Sequence, residues 1–291
     1  MTTQTLLTTP DTTHSGPLAW LKRHPLVVLF SLTYLFLWGV MLPQLAALYG
    51  RMPNVISLPV DLVFGAFGPL LAALMTVALT EGRAGVRDLV GQALRWRVGL
   101  RWYAVALLGP AAYMLAGAGL EALVRGQAPA IPAAAMPLTD VAATFIRMLL
   151  LGMVLNTEEF AWRGVALPRL QTRYGALGGT LVLAVVEGVV HLPLFWAPGS
   201  FYQQVGFGWW FAWDIALAIL MTWVYNSTGR SVLLTTLLHA AGNAWSGLLP
   251  PPGLRPYAFM VVILWLVALL VVLVYGPRRL TTRTETVETR G

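Results

Sequence analysis

Long apolar blocks alternate along the chain with short polar breaks. Each block runs for about 20 residues, the length a helix rising 1.5 Å per residue needs to cross a hydrocarbon core about 30 Å thick. Backbone facing lipid must be paired within its own segment, so the blocks are predicted as helices. They fall near 26–49, 57–80, 102–124, 138–170, 175–197, 207–226, 230–249 and 256–276. The pattern predicts an all-α polytopic membrane protein of about eight transmembrane helices. A polar N-terminal tail, 1–24, precedes a single transmembrane domain, 25–277, and a polar C-terminal tail, 278–291, follows it. No internal repeat or second domain is evident.

Between the second and third blocks the pattern changes. Over 82–101, Arg83, Arg87, Arg95, Arg97 and Arg101 surround Val86, Leu89, Val90 and Leu94. That spacing predicts a basic amphipathic helix lying on the membrane surface.

Composition strengthens this picture. The chain is 57% hydrophobic and 11% charged, and a soluble domain carries about twice that charge. Cysteine is absent, which excludes disulfides, thiolate metal sites and a cysteine nucleophile. The net charge of +7 sits at the ends of apolar blocks, so it reads as topology and contact with the lipid bilayer, with no nucleic acid partner. With the N-terminus placed in the cytoplasm, 14 Lys and Arg residues fall on that side and only Arg51, Arg125 and Arg255 on the other. The positive-inside rule then puts both termini in the cytoplasm, and the plasma (inner) membrane is the expected location. The first block is a full span with no small-residue cleavage site, so it reads as an anchor. His14 and His24 read as surface residues.

Ionisable groups within spans carry the chemistry, because each costs at least about 2.5–3.5 kcal/mol to insert. The fourth block holds Asn156-Thr157-Glu158-Glu159-Phe160-Ala161-Trp162-Arg163. Glu159 and Arg163 are helical i,i+4 neighbours and can pair. Glu158 is turned about 100° away and is left free to act as a base or a ligand. His191 lies on the fifth block with Glu187 one turn before it. His239 and Asn243 form an i,i+4 pair on the seventh. A carboxylate and two imidazoles can activate water, by proton transfer or as metal ligands, and Asn243 can orient an imidazole or donate to an oxyanion. These groups must meet at one depth. A fourth helix unbroken from 138 and continuing to about Thr172, kinked at Pro168, puts Glu158 about 14 residues, or about 21 Å, from its end, and His191 lies about 22 Å along the next span. His239 is shallower, at about 14 Å.

These motifs resemble the CAAX protease and bacteriocin-processing family of intramembrane peptidases, also called CPBP or ABI. Its pattern of EExxxR, FxxxH and HxxxN/D is read here as Glu158-Glu159-Phe-Ala-Trp-Arg163, Glu187-Gly-Val-Val-His191 and His239-Ala-Ala-Gly-Asn243. The stretch EEFAWRGVALPRLQTRYG over 158–175 resembles the family further, as do 82–103 and 228–243, and the family-like core is about 138–249. The resemblance implies hydrolysis of a membrane-associated peptide or protein, with Glu158 and His191 activating water. His239 and Asn243 would hold the substrate carbonyl or its oxyanion. Members are commonly called metalloproteases, so it also implies one divalent metal such as zinc on Glu158, His191 and His239 wherever a metal is bound. In one departure, Glu187 stands where the family has phenylalanine, and an extra acid there could fix the tautomer of His191 or join a metal site.

Plainer readings stand beside these. Glu158, Glu159 and Arg163 could serve only as an ion pair between helices, and either histidine as an interhelical hydrogen bond. Asp61, Asp140, Arg147 and Asp214 read as structural pairs or membrane-edge residues. Trp209, Trp210 and Trp213 read as interface belt and lipid packing. A non-catalytic membrane partner, or an immunity or regulatory protein keeping the pocket as a binding site, is the main alternative function. A transporter would call for two related halves. The HExxH zinc helix is missing.

Overall fold

In a computed structural model, residues 16–129, 131–249 and 254–282 are described, without the side chains of Leu254 and Arg255. Residues 1–15 and 283–291 of the expected tails, with His14, Arg283 and Arg290, lie outside the described residues.

Every apolar block is helical. Helices α1 (Pro17–Arg23) and α2 (Pro25–Leu48) each open on proline, which suits a first turn because its missing N–H has no partner there anyway. A short α3 (Leu58–Val60) continues as a π-turn, Asp61–Ala66, and bends by 52° into α4 (Gly68–Ala93). Next come α5 (Leu100–Arg125), α6 (Leu138–Leu155), a second π-turn (Phe160–Ala166) leading into α7 (Leu167–Val190), and the short α8 (Phe201–Val205). Helices α9 (Phe207–Ser227), α10 (Val232–Ser246) and α11 (Leu254–Tyr275) complete the bundle. Among the described residues six helical stretches are long and apolar enough to cross a membrane, or seven with the bent α3–α4 pair. The protein is an integral membrane protein. The seventh block is short, since α10 has 15 residues and spans about 22 Å.

The fourth block corrects the expectation of an unbroken helix over 138–170. Helix α6 stops at Leu155, Asn156 turns out of helical geometry at φ −79° and ψ 60°, and helix resumes at Glu158. The Thr157 hydroxyl donates to the Ala66 carbonyl at 2.6 Å, a tertiary bond that competes with the helical ladder as short polar side chains do. Pro168 falls in the first turn of α7. It cannot bond the Gly164 carbonyl four residues back, and the buried Gln92 amide donates to that carbonyl at 3.4 Å.

Gly175 divides α7 into two arms. Its φ of 71° and ψ of 174° belong to a region almost reserved for glycine. In a straight helix Leu170 and Gly179 would be about 13 Å apart along the axis. Here a Cβ on Gly179 would stand 3.0 Å from the Leu170 carbonyl carbon, so the second arm folds back across the first. The amides of Ala176 and Leu177, freed by the turn, donate to Arg278 and Pro277 carbonyls at 2.9 Å each. The C-terminal end of the bundle thus caps the arm that carries His191.

The amphipathic segment is shorter than expected. Past a kink at Gly82, α4 continues to Ala93, and Arg83 and Arg87 face outward. Leu89 is buried with Ala161, Trp162 and Val165, so this helix braces the π-turn behind the two glutamates. Leu94 is exposed and lies beyond the helix end.

Candidate functional site

The break at Asn156–Thr157 places Glu158 and Glu159 in the first turn of a new helix. That end of a helix carries unpaired N–H groups and the positive end of its dipole, which suits carboxylates. The two side chains diverge. Glu159 is fully buried and accepts from Arg163 Nη1 at 3.3 Å. Glu158 faces a cavity of about 630 Å³ between the helices.

His191 ends the second arm of α7. Its Nδ1 lies 2.8 Å from the backbone carbonyl of Glu187. A carbonyl only accepts, so Nδ1 carries the proton and the lone pair is on Nε2. Nε2 stands 4.0 Å from Glu158 Oε2. On sequence alone the Glu187 carboxylate is a candidate to fix this tautomer. In the fold the backbone of the same residue makes the bond, and the carboxylate binds Arg163 Nη1 at 3.2 and 3.1 Å.

Helix α10 brings the second imidazole. Its first turn is capped by Ser231 Oγ, which accepts from the Leu234 amide at 3.2 Å. His239 Nδ1 lies 3.2 Å from Glu159 Oε1, and Nε2 lies 3.4 Å from Glu158 Oε1. One turn later Asn243 donates to Asn156 Oδ1 at 3.4 Å, joining α10 to the break before Glu158. Glu158, His191, His239 and Asn243 all line the one cavity, although they come from three separate stretches of chain.

The polar groups close a ring. It runs from the Glu187 carboxylate through Arg163, Glu159, His239, Glu158 and His191 back to the Glu187 carbonyl. Glu159 and Arg163 are 0% and 2% exposed on their side chains, whereas Glu158, His191 and His239 keep 18%, 16% and 17%. The inner part of the ring is therefore a sealed scaffold, and the outer part opens to the cavity. A buried ion pair offsets its desolvation only with good geometry; here Arg163 is shared by two carboxylates. Its Nε and Glu159 Oε2 have no hydrogen-bond partner among the described residues.

Several lining groups carry no local signal in the sequence. Trp210 and Trp213 line the cavity, and Trp210 is 4% exposed, which corrects their assignment to the interface belt; Trp209 is exposed, as that assignment expects. Asp214 is buried in the same wall and makes no ion pair among the described residues, so it lines the cavity where a structural pair or a membrane-edge position was expected. Asp61 does accept a structural bond, from the Gln44 amide at 3.2 Å. Tyr113, Tyr202 and Tyr257 complete the aromatic lining. Only the spacing of residues 210, 213 and 214 on one helical face hints at this wall.

Glu158, His191 and His239 do not form a tetrahedral metal set. Around a tetrahedral zinc with bonds near 2.0–2.1 Å, ligand atoms lie about 3.3 Å apart. The Glu158–His191 separation of 4.0 Å exceeds this, and no group of three His, Asp or Glu among the described residues is arranged to hold a metal ion.

Comparison with known proteins falls on the same part of the chain. Residues 137–245 match the family described as type II CAAX prenyl endopeptidase, Rce1-like. A curated relative, CAAX prenyl protease 2 of Methanococcus maripaludis, is 28% identical over 102 residues. That similarity covers 33% of this chain and 38% of the relative.

Proposed function

We propose, from the match of residues 137–245 to the Rce1-like CAAX prenyl endopeptidase family, that the protein hydrolyses a peptide bond of a membrane-associated peptide or protein. The observation that carries this reading is the 4.0 Å gap between Glu158 Oε2 and His191 Nε2. Both atoms accept hydrogen bonds and are too far apart to bond each other. Two bonds of about 2.8 Å from one water would span the gap at an angle near 90°. A water held by two acceptors presents its oxygen lone pair to a substrate carbonyl.

Glu158 takes a proton from that water as its oxygen attacks the carbonyl carbon. The C=O pair moves onto oxygen, giving a tetrahedral oxyanion. His239 Nε2 and the Asn243 amide, on the α10 side of the cavity, donate to the carbonyl oxygen, with His239 protonated for this role. Collapse of the intermediate breaks the C–N bond, and the proton on Glu158 passes to the leaving amine. Glu159 and Arg163 hold the frame without touching substrate. The departure at Glu187 is absorbed by Arg163 and leaves Glu158 and His191 facing each other. Burial of the site among apolar helices suits a substrate delivered from the bilayer, with the plasma membrane as the compartment and both termini cytoplasmic.

The test is cleavage of a reporter-peptide library by the purified protein in detergent, beside Glu158→Gln. Loss of cleavage in a folded variant supports the reading, and equal cleavage by both overturns it. A chelator arm addresses the metal. Activity that survives it fits the side-chain mechanism, and activity lost and restored by zinc would overturn that mechanism.

A further inference from the structure

On α9, Trp210, Trp213 and Asp214 stand three and four residues apart and so share a face, and that face lines the cavity. Asp214 is 5% exposed. It makes no hydrogen bond or ion pair among the described residues, and its Oδ2 is buried without a partner. The cavity's arginine, Arg163, is already bound by Glu159 and Glu187 and attracts Asp214 only from beyond ion-pair distance. From α11 the Tyr257 hydroxyl enters the same cavity, also buried and also without a partner. A buried carboxylate needs a counter-charge. Among the described residues no cation comes within ion-pair distance of Asp214.

The walls beside it are ring faces. Trp210 and Trp213 have centroids 6.3 Å apart, and Trp213 and Tyr257 the same distance. The Trp213 indole N–H donates to the Tyr113 hydroxyl at 3.4 Å, which fixes its edge and leaves its face available. Glu158, Glu159, Glu187 and Asp214 together outnumber the two cations among them, Arg163 and a protonated His239. The complement to this set is a group that offers only donors and positive charge, against a carboxylate, a phenol oxygen and aromatic faces.

We propose that the cavity contains a subsite for a cationic side chain of the substrate, lysine or arginine, with Asp214 as its counter-charge and Trp210, Trp213 and Tyr257 as its walls. The proposal rests on the peptide reading above and adds a residue preference to it. An aliphatic side chain in this position would leave Asp214 uncompensated.

The test measures binding apart from cleavage. Full-length Glu158→Gln protein in detergent is titrated with fluorescent peptides in which one lysine, moved position by position, is exchanged for norleucine. The subsite predicts one position where lysine binds at least about tenfold tighter. That ratio falls to within about twofold when Asp214→Asn is added and persists with Asp214→Glu. If no position prefers lysine, or the preference survives Asp214→Asn, the proposal is overturned. Should Asp214→Asn fail to fold, Trp213→Leu serves in its place; a ratio reduced at least threefold supports the subsite, and an unchanged ratio overturns it. A wild-type protein that cleaves none of these peptides while the lysine preference holds would sink the peptidase reading and leave the subsite standing.

Discussion

Glu187 holds His191 with its backbone and Arg163 with its side chain: its carbonyl lies 2.8 Å from His191 Nδ1, and its carboxylate oxygens lie 3.2 and 3.1 Å from Arg163 Nη1. The imidazole is thus oriented by an atom that every amino acid possesses. The side chain at 187 is free to vary without releasing the histidine, which explains how an acid can stand where the family pattern has phenylalanine.

This separation predicts the behaviour of Glu187→Gln. The backbone bond to His191 remains, and Arg163 keeps Glu159 as its partner. Losing one of two charged partners of a buried arginine should cost about 1–3 kcal/mol, read as a lower thermal midpoint in detergent. Cleavage by the fraction that stays folded should fall less than tenfold. A loss as large as that of Glu158→Gln would mean that the carboxylate takes part in the reaction.

Glu158 is expected to show the opposite pattern. Its carboxylate is partly exposed and lies 3.4 and 4.0 Å from the imidazoles, so no tight bond depends on it. Glu158→Gln should leave the thermal midpoint almost unchanged and lower kcat by about 10²–10⁴. His191→Ala should cause a comparable loss, and the double variant should be little worse than either single one, because residues acting on one water are non-additive. Additive losses would separate the two roles.

Much of this was legible in the sequence because membrane insertion makes unpaired polarity costly. The apolar blocks, the Glu159–Arg163 pair and the pairing of His239 with Asn243 on one helix follow from length and helical spacing. The break at Asn156 did not. Groups placed at one depth on straight rods predict a continuous helix, whereas the Thr157–Ala66 bond links residues 91 apart. No local pattern encodes such a contact. The wall of Trp210, Trp213, Asp214 and Tyr257 was hidden for a related reason: which face of an apolar helix meets a cavity is decided by neighbours distant in sequence.

Gly175 gives a prediction about folding. Alanine at φ 71° and ψ 174° should cost about 1–3 kcal/mol in backbone strain. The Ala176 and Leu177 amides would shift from the carbonyls of Arg278 and Pro277. Gly175→Ala should therefore lower the thermal midpoint and speed hydrogen exchange at residues 176 and 177 first. An unchanged midpoint would show that the turn relaxes to another geometry.

Thr157 tests whether the break positions the base. Its hydroxyl donates to the Ala66 carbonyl at 2.6 Å, tying the residue before Glu158 to the π-turn at the head of α4. Thr157→Val keeps the side-chain shape and removes the donor, so the part-buried Ala66 carbonyl is left without it. That should cost about 1–3 kcal/mol. A purely structural bond would lower stability and leave kcat of the folded protein intact. A positioning bond would also lower kcat, because Glu158 follows directly in the chain and a shift of about 1 Å can cost around a hundredfold. We expect kcat to fall at least tenfold with KM little changed, and Thr157→Ser, which retains the donor, to recover most of the rate. Equal kcat for the valine and serine variants would show that Glu158 is held by its own helix and by Asn156–Asn243 rather than through Ala66.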